Sequence, residues 1–409
     1  MLYFINNPTR SNLSQRNLVI KSLPVMIYFL LFFIVNPFFA IILLFVYLLF
    51  SKENNIILSA FACFLTALFN GLVNSTKVPE NDLVWYLSGY LDAGKMPFLQ
   101  YIFSFGLTGT GKELGFSTFN YFLYLIAGDN TKLYIILYSF FAYSFLNLAV
   151  LKFGKSLNIP KAYVVTAVFV MAFTPFVFTM SAQLLRQFLA ASLLMYILVN
   201  KLFYGKNSIL LILCMIFCHS SAIFFVPYLF MPFLKKTFSV KTLLLLCGIF
   251  GIQIIASIGA SLFSGIPLLK YAFDRASKNT VFELEPLTPA KIITVVVITI
   301  LPFYFIYYLK PLFKNNKGLV HFFNILAILS LFILANLSQA ELSSRFNFYL
   351  WPFFPFIFLI YAWYFKFGPI QLQSIIIFLL ATYIYYLDAG TWTYRLGNGI
   401  FSNTFLNYL

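Results

Sequence analysis

Charge is what this sequence has least of: Asp, Glu, Lys and Arg make up 9% of its 409 residues, and only 11 of them are acids. An ordinary soluble domain is roughly 25% charged and 45–50% apolar, whereas this chain is 62% hydrophobic. No soluble fold hides that much apolar surface, so lipid is expected to be its main solvent. Cysteine is also scarce, and Cys63, Cys214, Cys218 and Cys247 all lie within apolar runs, where they serve as small packing residues. No disulfide is expected. Cys214, Cys218 and His219 have no further His, Asp or Glu nearby to complete a metal shell, so no metal is expected either. Internal repeats are absent, which weighs against an inverted-repeat transporter. The first 22 residues are polar, carry Arg10, Arg16 and Lys21, and have no small-residue cleavage site behind a short apolar core. They read as a retained cytoplasmic tail, not a signal peptide.

What is present is a succession of apolar runs near the ~20 residues that cross ~30 Å of hydrocarbon as a helix. The alternation of a membrane β-barrel is missing. An all-α, polytopic transmembrane bundle in a single domain is therefore expected, with about 13 membrane helices (range about 11–14). They are placed at 23–36, 37–50, 56–73, 132–151, 161–179, 183–201, 207–218, 221–234, 240–263, 290–309, 318–337, 346–365 and 370–387. Two tracts are split, at Asn36-Pro37 and at His219-Ser220-Ser221. The stretch 116–127 is too short to span and is expected to be re-entrant or interfacial.

The net charge of +16 is scattered over short loops instead of gathered on a soluble face, so it reads as a topology signal and not as a nucleic-acid surface. Placing the N-terminus, 51–55, 152–161, 201–206, 235–241, 310–317 and 366–369 in the cytoplasm puts 16 Lys/Arg there against one acid, Glu53. The longer segments 74–131 and 264–289 then lie outside, and long loops in compact proteins are usually functional or disordered.

The residues able to do chemistry cluster on that outer side. Arg186 opens the 183–201 helix with Gln183 and Gln187 at its level; it either snorkels to the interface or marks a site. His219 precedes Ser220 and Ser221, whose helix start offers free N–H groups to an anion if it is more than a capped break. Arg345, with Tyr349 behind it, either pairs with Glu341 or joins Arg186 and His219 on phosphate oxygens. Glu113 is either a dipole partner for the piece that follows it or, beside a cationic diphosphate site, a base for a sugar hydroxyl. Asp82, Tyr86 and Tyr90 combine acid with aromatic rings, a common chemistry for sugars. His321, beside Lys317, is expected to be structural.

In this order, Asp82 to Tyr86, Glu113-x-Gly115-Phe116, Arg186-Gln187-x-x-Ala190, His219-Ser220-Ser221 and Arg345-x-x-x-Tyr349 resemble the EpsG-type and Wzy-type polysaccharide polymerases over roughly residues 80–350. The resemblance implies a GT-C-like glycosyltransferase of the oligosaccharide-polymerase and O-antigen-ligase kind in the bacterial inner membrane, with its site facing the periplasm. Its implied substrates are undecaprenyl-diphosphate-linked oligosaccharides, as donor and as acceptor, with a chain-length regulator as a further partner. Arg186 and Arg345 would bind the donor diphosphate, His219 would assist, and Glu113 would activate the acceptor. Asp82, Tyr86, Tyr90, Gln183, Gln187, Ser220, Ser221 and Tyr349 would contact substrate. No Asp-x-Asp pair is present, which fits transfer without metal or other cofactor and with inversion at the anomeric carbon. A flippase of the same lipid-linked sugar and an O-antigen ligase are the competing readings.

Overall fold

In hydrocarbon the backbone of an apolar run has no polar partner but itself, and the chain resolves this with helices. The computed structural model describes residues 8–51, 56–107, 113–237, 288–308, 316–337, 340–389 and 393–409, with Thr242 and Gly265. Among the described residues the one strand-like feature is an antiparallel bridge between Lys77 and Tyr394, in keeping with the all-α expectation. The helix expected at 240–263, Cys247, most of the outer segment 264–289 and most of the loop 310–317 lie outside the described residues.

Among the described residues, six helices are long and apolar enough to cross a bilayer: Ile57–Ser75, Thr131–Ser156, Leu185–Tyr204, Lys317–Ala335, Leu342–Tyr364 and Pro369–Ala389. Lys161–Phe173 and Pro175–Gln183, bent by 51°, make a seventh if they cross together. The expected count of about thirteen is thus not reached among the described residues. Length is one reason, beside the expected helix 240–263, which lies outside the described residues. Pro37–Phe50 has 14 residues and Ile209–Cys218 has 10, which at ~1.5 Å per residue extend roughly 21 and 15 Å against ~30 Å of hydrocarbon.

The chain forms two compact units, Met1–Tyr196 with Leu213–Ser220 and Phe358–Leu409, and Ile197–Ile212 with Ser221–Ile357. In the first, α1 (Pro8–Val35) and α2 (Pro37–Phe50) part at Asn36, as expected. The Asn36 Oδ1 accepts the Phe39 N–H at 3.0 Å and Pro37 takes the first helical position. Then follow α3 (Ile56–Ser75), α4 (Asp82–Asp92), α5 (Phe98–Tyr101), α6 (Leu114–Ala127), α7 (Thr131–Ser156), α8 (Lys161–Phe173), α9 (Pro175–Gln183), α10 (Leu185–Tyr204) as far as Tyr196 and α11 (Ile209–Cys218) from Leu213. α3 and α7 approach so closely that a Cβ on Gly71 would stand 2.6 Å from the Ile136 carbonyl oxygen. Asn147 donates across this contact to the Cys63 carbonyl at 3.1 Å, and Asn74 to Ser139 at 3.0 Å and to Ser181 at 2.8 Å. Small residues and amide bridges are how helices associate where the hydrophobic effect offers no preference. Around them the core is aromatic, with Phe38, Phe45, Phe69, Phe169, Phe173 and Tyr383 buried. The C-terminal segment joins this unit: Val78 N–H donates to Thr393, Arg395 N–H donates to Thr76, each at 2.9 Å, and Tyr408 is buried.

The second unit overturns one expectation. Residues 221–234 are not one α-helix but a succession of short helical pieces, a 3-10 segment Ser220–Phe225, α12 (Val226–Phe230) and another 3-10 segment Pro232–Lys235. Pro227 and Pro232 remove two backbone donors and restrict the residues before them, so no continuous α-helix forms. These pieces are held by α14 (Lys317–Ala335), which follows α13 (Pro289–Tyr308). Asn324 donates to the carbonyls of Leu234 and Lys236, each at 2.7 Å, and His321 Nε2 bonds the Tyr228 carbonyl at 2.7 Å. His321 is buried and its contact structural. α15 (Ala340–Leu350) leads into α16 (Phe354–Tyr364), and α17 (Pro369–Ala389) and α18 (Phe405–Tyr408) return to the first unit.

Candidate active site

Three helix ends of the first unit converge on one carboxylate. Glu113 sits in extended conformation immediately before α6, yet its side chain makes no capping bond to its own helix. Glu113 Oε2 lies 3.1 Å from Arg186 Nη1, and Oε1 accepts the Ser220 N–H at 3.2 Å. His219 Nε2 stands 4.0 Å from the same Oε1, an ionic contact only when the ring is protonated. The carboxylate is 8% exposed and the guanidinium side chain 30%, so the pair has one wet edge.

Each partner is delivered by a local feature. α9 stops at Gln183, and Leu184, with φ −108° and ψ 55°, redirects the chain so that Arg186 falls in the first turn of α10. The Tyr138 hydroxyl donates to the Leu185 carbonyl and fixes that start. α11 ends at Cys218, which leaves the Ser220 N–H free to turn toward Glu113. Gly115 brings the two ends together: a Cβ there would be 2.8 Å from Phe217 Cβ, 2.9 Å from Phe217 C and 3.1 Å from the Cys218 nitrogen. Only a glycine lets α6 begin this close to the backbone of α11.

Tyr86 of α4 closes the group. Arg186 Nε donates to its hydroxyl at 3.4 Å, and the guanidinium lies 5.4 Å from the ring centroid. Burial pushes the Tyr86 phenol above its ordinary value while the Arg186 charge pulls it down. Phe116 meets Tyr86 edge-on at 5.5 Å. Asp82, exposed in the first turn of α4, is near enough for its charge to act on Tyr86.

Of the residues singled out from the sequence, Glu113, Arg186, His219, Ser220 and Tyr86 come together, with Asp82 alongside. The N–H of Ser220, expected to stand open for an anion, is taken by Glu113. Tyr90 is fully buried, donates to the Gly128 carbonyl and stacks on Tyr134 at 3.9 Å, so its ring and hydroxyl are committed within the protein. Gln183 and Gln187 are buried at the α9/α10 junction, and Gln183 Nε2 has no hydrogen-bond partner among the described residues. Ser221 and Tyr349 belong to the second unit and bond each other at 3.0 Å, with the Tyr349 ring on Phe225. Arg345 is an exposed residue of α15 in that unit. Sequence reasoning missed Tyr138, Leu184 and the α8/α9 bend. Thr174-Pro175 signalled the bend and Gly115 the close approach; nothing local marks Tyr138. Among the described residues no three His, Cys, Asp or Glu side chains gather to hold a metal ion.

The model of the EpsG family matches residues 56–409. The match is wider than the stretch 80–350 that carries the resemblance in the sequence, and it takes in the C-terminal segment. No curated protein and no solved structure matches the chain.

Proposed function

Because the chain belongs to the EpsG family, a membership that supports a membrane protein of polysaccharide-polymerase type, we propose that it moves an oligosaccharide from one undecaprenyl diphosphate to the repeat unit on another at the outer face of the cytoplasmic membrane. The observation that carries this reading is the half-buried Glu113–Arg186 pair with the Ser220 N–H and His219 around it. It combines the two groups such a transfer needs, a fork of cationic donors for a diphosphate and a carboxylate for a hydroxyl proton.

At rest the carboxylate and the guanidinium neutralise each other. A donor diphosphate arriving at the wet edge competes for Arg186, and the guanidinium then leaves Glu113 Oε2 open to the acceptor. The acceptor oxygen attacks the anomeric carbon and a new C–O bond forms. The bond from that carbon to the diphosphate breaks with its electron pair going to the phosphate oxygen, and the hydroxyl proton passes to Glu113. Attack opposite the leaving group inverts the anomeric carbon. Charge on the departing diphosphate is met by Arg186 and by His219 when protonated. The excess of Lys/Arg in the short loops supports an orientation with this site facing outward. A role for Arg345 at the diphosphate rests on the sequence pattern and the resemblance.

Proteoliposomes supplied with a lipid-diphosphate repeat unit on the outer face test the proposal without requiring flipping. Glu113→Gln is expected to lower turnover about 100-fold or more while substrate still binds. Arg186→Lys, which keeps the charge and loses the planar fork, is expected to weaken donor binding as well. A Glu113→Gln protein that polymerises at the wild-type rate removes Glu113 as the base.

A further inference from the structure

A second polar site lies at the far ends of α4 and α6. Near their starts these helices meet through Tyr86 and Phe116, and farther along through Tyr90 and Tyr124, each pair 5.5 Å apart. Beyond that contact a cleft of about 550 Å³ opens, lined by Leu91, Gly94, Lys95, Tyr124 and Asp129, within the ~300–1,000 Å³ of small-molecule sites. Eleven residues of helix separate Glu113 from Tyr124, or roughly 16 Å at ~1.5 Å per residue.

The cleft's polar groups are held in place. The Tyr124 hydroxyl donates to Asp129 Oδ1 at 2.8 Å, and the Lys95 ammonium is 2.6 Å from Asp92 Oδ1. The Tyr124 ring is backed by Tyr90, itself stacked on Tyr134 at 3.9 Å. Gly94 is what leaves the phenol its place, since a Cβ there would stand 2.0 Å from the Tyr124 hydroxyl. An acceptor carboxylate, an ammonium donor, a half-exposed ring and an apolar leucine suit a sugar, which presents hydroxyl edges and apolar faces. One ammonium stands among two carboxylates, Asp92 and Asp129, so there is no cationic excess to attract a polyanion.

We propose that this cleft binds an uncharged stretch of glycan, of neutral hexose or N-acetylhexosamine units, several sugars away from the reacting end. The inference rests on the polymerase reading for the origin of the glycan, and it gives that reading a second foothold that would keep a growing chain engaged between transfers. No diphosphate is needed there, which separates the cleft chemically from the Arg186 site.

The full-length protein in lipid nanodiscs is titrated with free neutral hexose and N-acetylhexosamine oligosaccharides of one to six units, and binding is read by saturation-transfer NMR. Wild type is expected to bind at least one of them. Asp129→Asn, which removes the charge that orients Tyr124, and Gly94→Ala, which displaces the phenol, should each weaken that binding about fivefold or more. In proteoliposomes the same two variants should keep the rate of the first transfer and yield shorter products. No binding by wild type, or binding that neither variant alters, overturns the cleft as a glycan site and leaves the polymerase reading standing. Wild-type product lengths from both variants overturn its part in holding the chain. Variant-sensitive binding by a wild type that forms no polymer overturns the polymerase reading and leaves the cleft.

Discussion

Two helix breaks, both legible in the sequence, end in opposite ways. At Asn36-Pro37 the chain closes the break with its own side chain, Asn36 Oδ1 taking the Phe39 N–H three residues on. At His219-Ser220 the N–H goes to Glu113, 107 residues away. A break satisfied by its neighbours is finished as structure, and changing it alters stability alone. A break satisfied by a remote, buried carboxylate that also faces a guanidinium leaves charged groups whose partners can be exchanged. That difference separates a kink from a candidate site.

The comparison breaks most sharply at Arg186. Arg186→Ala leaves the Glu113 carboxylate in a nearly buried position with the Ser220 N–H but without its cation, and losing one partner of a buried pair typically costs about 3–5 kcal/mol. The wet edge of this pair places the expected loss at the low end, about 3 kcal/mol, with polymer formation abolished. Thermal unfolding in detergent beside a product ladder measures both. Adding Glu113→Gln to Arg186→Ala should recover part of the lost stability but none of the activity. A double variant less stable than Arg186→Ala would mean that the pair is not what holds these helix ends.

Gly115→Ala tests the approach that makes the second break a site. The added methyl meets the Phe217 and Cys218 backbone, which cannot swing aside as a flexible side chain would. Overpacking of this kind costs about 1–3 kcal/mol, and the shift falls on the Glu113–Ser220 contact. Turnover per folded molecule should drop about tenfold or more, the rate equivalent of ~1.4 kcal/mol. Unchanged turnover would detach the α6/α11 contact from the chemistry.

Asn36→Ala is the counterpart at the closed break. It removes the cap and the 2.8 Å bond that Asn36 Nδ2 donates to the Phe401 carbonyl, so a loss of about 1 kcal/mol is expected. Turnover per folded molecule should stay at the wild-type level. Ser220→Ala should have the smallest effect, within about 0.5 kcal/mol and with activity retained, because Glu113 meets the backbone N–H and not the hydroxyl. A large loss of activity in Ser220→Ala would move the hydroxyl itself into the site.

Composition settles that the chain lives in lipid, because 62% hydrophobic residues leave no other solvent, and unbroken apolar runs without the alternation of a barrel settle that it is helical. The breaks at Asn36-Pro37 and after Cys218 are equally legible, since proline and capping residues act within a few positions of themselves. So is the order of residues that resembles a polymerase, and Glu113, Arg186, His219, Ser220 and Tyr86 all stand out by residue type and position alone. The short helical pieces over 221–234 are less so: a hydrophobic run reads as one membrane helix even where Pro227 and Pro232 break it. What the linear order could not hold is who meets whom. That Glu113 takes the N–H expected to stand open, that Tyr90 turns inward onto Tyr134, and that Tyr138 fixes the start of α10 all depend on helices distant in sequence lying side by side. Packing at positions such as Gly71 and Gly115 decides those contacts, and the missing side chain matters only once a second helix is there to fill its space.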